Sequence, residues 1–220
     1  MVYRGRKSVR GHFLFALTVA AVLAAGATAA NASAVLILSS ASTESSPPPE
    51  WLDALLTFDV SGSTMTLKVD NLTVSPHEFN IYQIWFNAAP AVTGLSLVPA
   101  TGWDLTFSQT NDEHCDGFGH FDAFLEGSNG SKGYWVPAGG SLTFTFNFTG
   151  SGVQDTDFTT EFSTPSGGNP VYNAAAHFAM GPSGADSAKG ASYGFGVPEP
   201  ATLTLMGLGG VAMLLRRKRK

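Results

Sequence analysis

The sequence contains few charged residues, one cysteine and almost no basic residues away from its two ends. Only 13% of the 220 residues are charged, against roughly 25% in typical soluble proteins. Between the ends, three basic residues, Lys68, Lys132 and Lys189, stand against all seventeen acidic ones, so this middle part has a net charge of −14. Such a body repels phosphate backbones and attracts divalent cations or basic partners, which excludes nucleic-acid binding.

Recognisable catalytic motifs are also missing. There is no G-x-S-x-G element of the kind that hydrolases use. His77 begins a sequence like that of the zinc metalloproteases, but Ile81 occupies the position of the second histidine. The single cysteine, Cys115, does not lie at a cleavage site near the first residues, which excludes a lipoprotein anchor. We predict that the protein is not an enzyme; a secreted polysaccharide hydrolase with Asp122 and Glu126 as its acid pair stays open as an alternative.

The N-terminal end predicts a secretory signal peptide. A basic stretch precedes an apolar run from Phe13 to Ala25, and small residues follow. This order is typical of signal peptides, and the run is too short to span a bilayer as a helix. The A-x-A cleavage pattern occurs with Ala32 or Ala34 as the last residue removed. We therefore predict a signal peptide over residues 1–34 and export through the general secretory route.

The C-terminal end combines Pro198-Glu199-Pro200 with an apolar run, residues 201–215, and a basic cluster, residues 216–220. As a helix the run is about 22 Å long, whereas the hydrocarbon core of a bilayer is about 30 Å thick. It is short for a permanent anchor. With snorkelling of the basic residues and local thinning it can still span, and the basic cluster would then stay on the cytoplasmic side.

These three features, in this order, resemble the PEP-CTERM sorting signal found on exported proteins of Gram-negative bacteria that make exopolysaccharide. The resemblance covers residues 197–220. It implies recognition by an exosortase, a membrane-embedded enzyme similar to cysteine proteases, which cuts near the motif and releases or transfers the body. Pro198, Glu199 and Pro200 would be a processing signal, and the protein would be anchored in the inner membrane only transiently before it reaches the cell surface or the extracellular space.

One alternative to this interpretation of the tail is a permanent membrane anchor. A plain single-pass anchor would also place a proline-containing linker before an apolar helix. The same tail has been associated with ice-binding proteins, but a sorting signal says nothing about what the body binds.

The body between the ends is predicted to be all-β, a single β-sandwich or jelly roll over residues 51–180. Along 142–149, apolar residues alternate with Thr and Asn, as in a strand with one wet face. A Ser/Pro-rich linker is expected at 35–50 and a Gly/Ser/Ala-rich tether at 181–196. The other candidate strands are short and separated by Gly, Pro, Asn and Ser: 55–60, 65–69, 79–86, 95–98, 103–107, 121–126, 134–136, 158–162 and 177–180.

The densest polar segment, residues 111–122, is the candidate metal site. Asp112, Asp116 and Asp122 could supply carboxylates to calcium from a glycine-bent loop. The spacing does not fit an EF-hand, and the histidine and cysteine side chains of the segment match no standard zinc site. An ordinary solvated acidic loop is the competing interpretation.

Among the four tryptophans, Trp135 is the candidate for stacking on a sugar ring, with core packing as its alternative. The sequence as a whole predicts a non-enzymatic, exported protein with a structural or adhesive role in exopolysaccharide or biofilm. The competing function is a calcium-dependent carbohydrate-binding module.

Overall fold

The regular secondary structure that the computed structural model describes consists almost entirely of β-strands, so the all-β prediction is confirmed. It describes residues 33–38, 41–42, 51–100, 102–128, 134–165, 171–179 and 187–192. The strands are β1 Ala34–Ile37, β2 Ala41–Ser42, β3 Ala54–Ser61, β4 Thr64–Asn71, β5 Asn80–Phe86, β6 Val92–Leu97, β7 Trp103–Phe107, β8 Glu113–Cys115, β9 Gly119–Phe121, β10 Ala123–Gly127, β11 Ser141–Gly150, β12 Ala174–Ala179 and β13 Ser187–Ser192.

The strands form two large sheets and one small hairpin. The first sheet has the order β1-β3-β4-β11-β6, and the second has the order β2-β13-β12-β5-β10-β7. The predicted hairpin of β3 and β4 is present, and its turn contains Gly62 with a φ of +63°, a conformation that favours glycine. The predicted central strand, β5, lies between β12 and β10.

Alternation of side chains gives each sheet one face that lines a shared core. In β11, Phe144, Phe146 and Phe148 are buried while Thr143 and Asn147 are exposed. The two sheets meet through aromatic contacts: the ring of Phe86 in the second sheet lies 5.6 Å from that of Phe58 in the first. The same buried cluster draws residues from both sheets, which therefore pack face to face.

A buried asparagine ties the two sheets together at one end. Asn71, the last residue of β4, donates from Nδ2 to the main-chain oxygens of Phe79 and Val136, at 2.7 and 3.0 Å. Its Oδ1 accepts from the hydroxyl of Thr73 at 2.8 Å. Each polar atom of this buried amide is therefore satisfied, as buried polar groups require.

The body extends beyond the expected bounds of 51–180. Strand β1 pairs with β3 and buries Ala34 and Leu36, although the linker was expected at 35–50. Strand β13 lies between β12 and β2, inside the expected tether at 181–196. Strand β1 is apolar, with the sequence Ala-Val-Leu-Ile, and lies directly after the small residues that the signal-peptide prediction took as the end of the leader. Strand β13 consists of small and polar residues and gains its strand structure from pairing with β12 and β2, which local sequence does not reveal.

Three other predicted strands are also corrected. The strand expected at 158–162 is absent: residues 155–158 form a 3₁₀ turn, and 159–162 are not a strand. Phe158 enters the core from this turn, where its ring stacks on that of Phe58 at 5.8 Å. At 134–136 there is only a single bridge, from Val136 to Ile81. The expected strand at 121–126 is divided, because Asp122 separates β9 from β10.

The two terminal signals fall almost wholly outside the described residues. Of the predicted signal peptide at 1–34, only Ser33 and Ala34 are described, and the apolar run at 201–215 is not. In the part of the chain that the structure describes, no helix has the length and apolar character needed to cross a membrane.

Candidate functional site

A second, smaller core positions the polar segment at 111–122. Trp85 and Ala175 project from the face of the second sheet opposite the main core, since their strand neighbours belong to that core. Ala191 pairs with Ala175 and lies in the same second cluster. The β8–β9 hairpin covers this face with Cys115, Phe118 and Phe121. The segment is therefore an ordered cover, with fixed side-chain partners, rather than a free acidic loop.

The lone cysteine is part of this second core. Cys115 is fully buried, and burial raises the pKa of its thiol to about 12. A thiol in that environment is almost entirely protonated at neutral pH and is a poor nucleophile.

The rate of alkylation of Cys115 measures how strongly burial suppresses the reactivity of its thiol. We expect iodoacetamide at pH 8 to modify Cys115 at least about 100-fold more slowly in the native protein than in urea, because the thiolate is scarce and covered. Mass spectrometry of the alkylated chain follows the reaction. Native labelling as fast as that of free cysteine would show that the hairpin does not cover the thiol.

Two of the three predicted calcium ligands have protein partners of their own. Asp112 is exposed, and its Oδ2 accepts from the hydroxyls of Ser108, at 2.9 Å, and Thr110. These hydrogen bonds lower the pKa of Asp112 below its ordinary value. Asp116 pairs with Lys189 at 2.8 Å, and this hydrogen bond is the main cause of its lowered pKa.

The third predicted calcium ligand, Asp122, differs from the other two in being buried. Only 4% of the residue is exposed, and its Oδ2 accepts from the main-chain N–H of Ala88 at 3.0 Å. Its Oδ1 is buried and has no hydrogen-bond partner, and the same is true of Oδ1 of Asn111. Burial raises the pKa of Asp122, and the nearby N–H groups of Ala88 and Asn111 offset only part of this effect.

Asp122 and Asn111 line a cavity of about 170 Å³. Ala88, Gln109, Glu161 and Phe162 also line it. Among the described residues, no group of three His, Cys, Asp or Glu side chains is placed to hold a metal ion. The structure therefore does not bring Asp112, Asp116 and Asp122 together, because the first two are held by neighbours on the surface and the third lies in the cavity.

The predicted sugar-stacking residue is buried. Trp135 is only 9% exposed, and its ring stacks on Tyr82 at 4.8 Å. This corrects the prediction, because the face that would meet a sugar is covered. Trp51 is the more exposed tryptophan, at 36%, and one face of its ring stacks on His77 at 3.5 Å.

A polar row next to Trp135 was not found from the sequence. Gln83 donates to Glu126 at 2.8 Å, and its amide oxygen lies 2.8 Å from Nδ1 of His177. Burial is the main cause that lowers the pKa of His177 to about 4, so this imidazole is neutral at pH 7. Three different strands supply these residues, and their spacing along the chain does not indicate that they lie side by side.

Tyr82 is the extra residue of a bulge in β5, because Gln83 and Ile81 pair with the adjacent residues His177 and Phe178. Its ring lies between those of Trp135 and His177, with the second pair of centroids 4.5 Å apart. Burial, and then the charge of Glu126, raise its pKa. The arrangement is a packed polar cover with no nucleophile paired to a base.

Comparison with known proteins gives one finding, and it concerns the C-terminal end. No curated protein matches the chain. The family model of the PEP-CTERM protein-sorting motif matches residues 196–220, the segment that contains Pro198, Glu199 and Pro200. The chain therefore carries a PEP-CTERM protein-sorting motif, which implies export and exosortase-dependent sorting to the cell surface.

Proposed function

We propose that the protein is a non-enzymatic component of the cell surface or extracellular matrix, with a structural or adhesive role in exopolysaccharide or biofilm. The match of the sorting motif at residues 196–220 is the observation that carries this proposal. The body supports it, since its two sheets enclose a hydrophobic core. Cys115, Phe118 and Phe121 of its most polar segment pack as a cover on the second sheet.

The route follows from the two ends of the chain. The signal peptide directs general secretion in a Gram-negative bacterium, the apolar run 201–215 holds the protein in the inner membrane, and exosortase then removes the tail. Between the two signal-cleavage positions, cutting after Ala32 keeps β1 whole, whereas cutting after Ala34 removes its first, fully buried residue. The mature protein on this account begins at Ser33.

Changing the processing signal tests the route. We expect replacement of Pro198, Glu199 and Pro200 by alanine to leave most of the protein in the membrane fraction with its tail, because exosortase no longer recognises it. The matched control is replacement of Pro47, Pro48 and Pro49, three prolines that lie outside the motif.

Cell fractionation with an antibody against the body reads both variants. The control protein should reach the surface like the wild type. Equal release of all three proteins would show that the motif is not a processing signal.

Calcium-dependent carbohydrate binding is the second candidate function. The exposure of Trp51 favours it, since aromatic faces stack on sugar rings. A glycan array with and without calcium, using the wild type and Trp51→Ala, separates the two functions: binding that needs both calcium and Trp51 supports the second.

The hydrolase alternative is weaker, because Asp122 and Glu126 are engaged by different groups, the Ala88 N–H and the Gln83 amide.

A further inference from the structure

The cavity that Asp122 lines is formed where distant parts of the chain meet. Ala88 follows β5, Gln109 and Asn111 follow β7, Asp122 separates β9 from β10, and Glu161 follows the 3₁₀ turn. The main-chain N–H of Ala88 positions Asp122 in this cavity, because it donates to Oδ2 of the carboxylate at 3.0 Å. The other carboxylate oxygen, Oδ1, makes no hydrogen bond, although the main-chain N–H of Asn111 lies near the carboxylate.

Two unsatisfied acceptors in one cavity need an explanation. A buried polar atom without a partner costs about 1–3 kcal/mol, more if charged, so native proteins rarely leave one unpaired. Here Oδ1 of Asp122 and Oδ1 of Asn111 are both buried and unpartnered. Asn111 adopts a φ of +53°, a conformation that only a few per cent of non-glycine residues show.

The lining of the cavity shows which ligand chemistry fits. Glu161 adds a second carboxylate, and Gln109 adds an amide whose Nε2 already donates to the Val92 main-chain oxygen. No lysine, arginine or histidine is among the lining residues. A set of carboxylate and amide oxygens without a cationic side chain matches the ligands of hard divalent cations, and of calcium above all.

We propose that this cavity is a calcium site in which Asp122 and Asn111 are the buried ligands and Glu161 is the exposed one. Of the three carboxylates that the sequence suggests, the site contains only Asp122. The other two are replaced by Asn111 and Glu161, which lie 11 positions before and 39 positions after Asp122 in the chain. The inference goes beyond the proposed function and does not depend on sorting.

Thermal unfolding of the full-length chain in detergent, with calcium chloride as the added ligand, tests the site. At a calcium concentration about 100 times Kd, the midpoint of wild-type unfolding should rise by roughly 5–10 °C. Asp122→Asn should show no rise. Without calcium its midpoint should equal or exceed that of the wild type, because the amide keeps an acceptor for Ala88 and removes a buried charge.

Two further variants make the result specific. Asp112→Asn is the matched control in the same loop and should keep the full calcium shift, since the Asp112 carboxylate is held by Ser108 and Thr110. Glu161→Gln, at an exposed position, should weaken calcium binding by about tenfold without changing the calcium-free midpoint, and it serves if Asp122→Asn does not fold. No shift in the wild type, an equal shift in Asp122→Asn or Glu161→Gln, or loss of the shift in Asp112→Asn would overturn the proposal.

Discussion

Replacing Phe86 with alanine is expected to lower the free energy of unfolding by about 3–5 kcal/mol. Phe86 is fully buried in the second sheet, and its ring contacts Phe58 and Phe146 of the first sheet, at 5.6 and 6.2 Å, and Phe158 at 6.4 Å. Alanine would remove the side chain that joins both sheets and the 3₁₀ turn. Because domains of this size are stable by only about 5–15 kcal/mol, the loss is a large part of the total.

Urea unfolding followed by tryptophan fluorescence measures this effect. Val74→Ala is the control, because Val74 is exposed in a loop and its truncation should change stability by less than about 0.5 kcal/mol. A loss below about 1 kcal/mol for Phe86→Ala would mean that the two sheets do not share the core described here.

The second large effect is expected in β1, at neighbouring residues that face opposite ways. Leu36 is 2% exposed and packs in the main core, whereas Ile37 is 56% exposed. Leu36→Ala should therefore cost about 2–4 kcal/mol, and Ile37→Ala less than about 0.5 kcal/mol. The same urea titration measures both variants.

This pair is a direct test of the corrected domain boundary. If residues 34–37 were a linker, both substitutions would have small and similar effects. A difference of more than about 1.5 kcal/mol between them requires that Leu36 be buried in the core, as it is in β1.

The strands that could be predicted from the sequence are those with strong alternation or dense apolar composition. In β4 and β11 the period of two is visible along the chain, and β5 is apolar on both faces because it is central and covered on both. Strand β13 shows why others were missed: the segment Ser187–Ser192 has no large apolar residue and depends on β12 and β2 for its structure.

The errors at aromatic residues have a common physical cause. Phe158 was assigned to a strand because it is large and apolar, but a 3₁₀ turn can also deliver a ring into the core. Trp135 was the candidate for an exposed ring, with core packing as its alternative, and the bulge at Tyr82 places a ring over it. In both cases the deciding contact comes from a residue more than 50 positions away, which no local pattern contains.

The candidate site was predictable only in part. The composition of residues 111–122 drew attention to Asp122, and the acidic charge of the body suggested a cation. The sequence could not separate this carboxylate from Asp112 and Asp116, because the difference is burial. Glu161 reaches the same cavity from a distant loop, so its part in the site is visible only in the folded chain.

Intact-mass measurement of the protein recovered from the cell surface shows whether the sorting motif is removed from a protein that works outside the cell. We expect a chain that begins at Ser33 and ends near Pro198–Pro200 in wild-type cells, and a chain that extends to Lys220 in cells without exosortase. A mass that includes Lys220 in both kinds of cell would contradict this expectation.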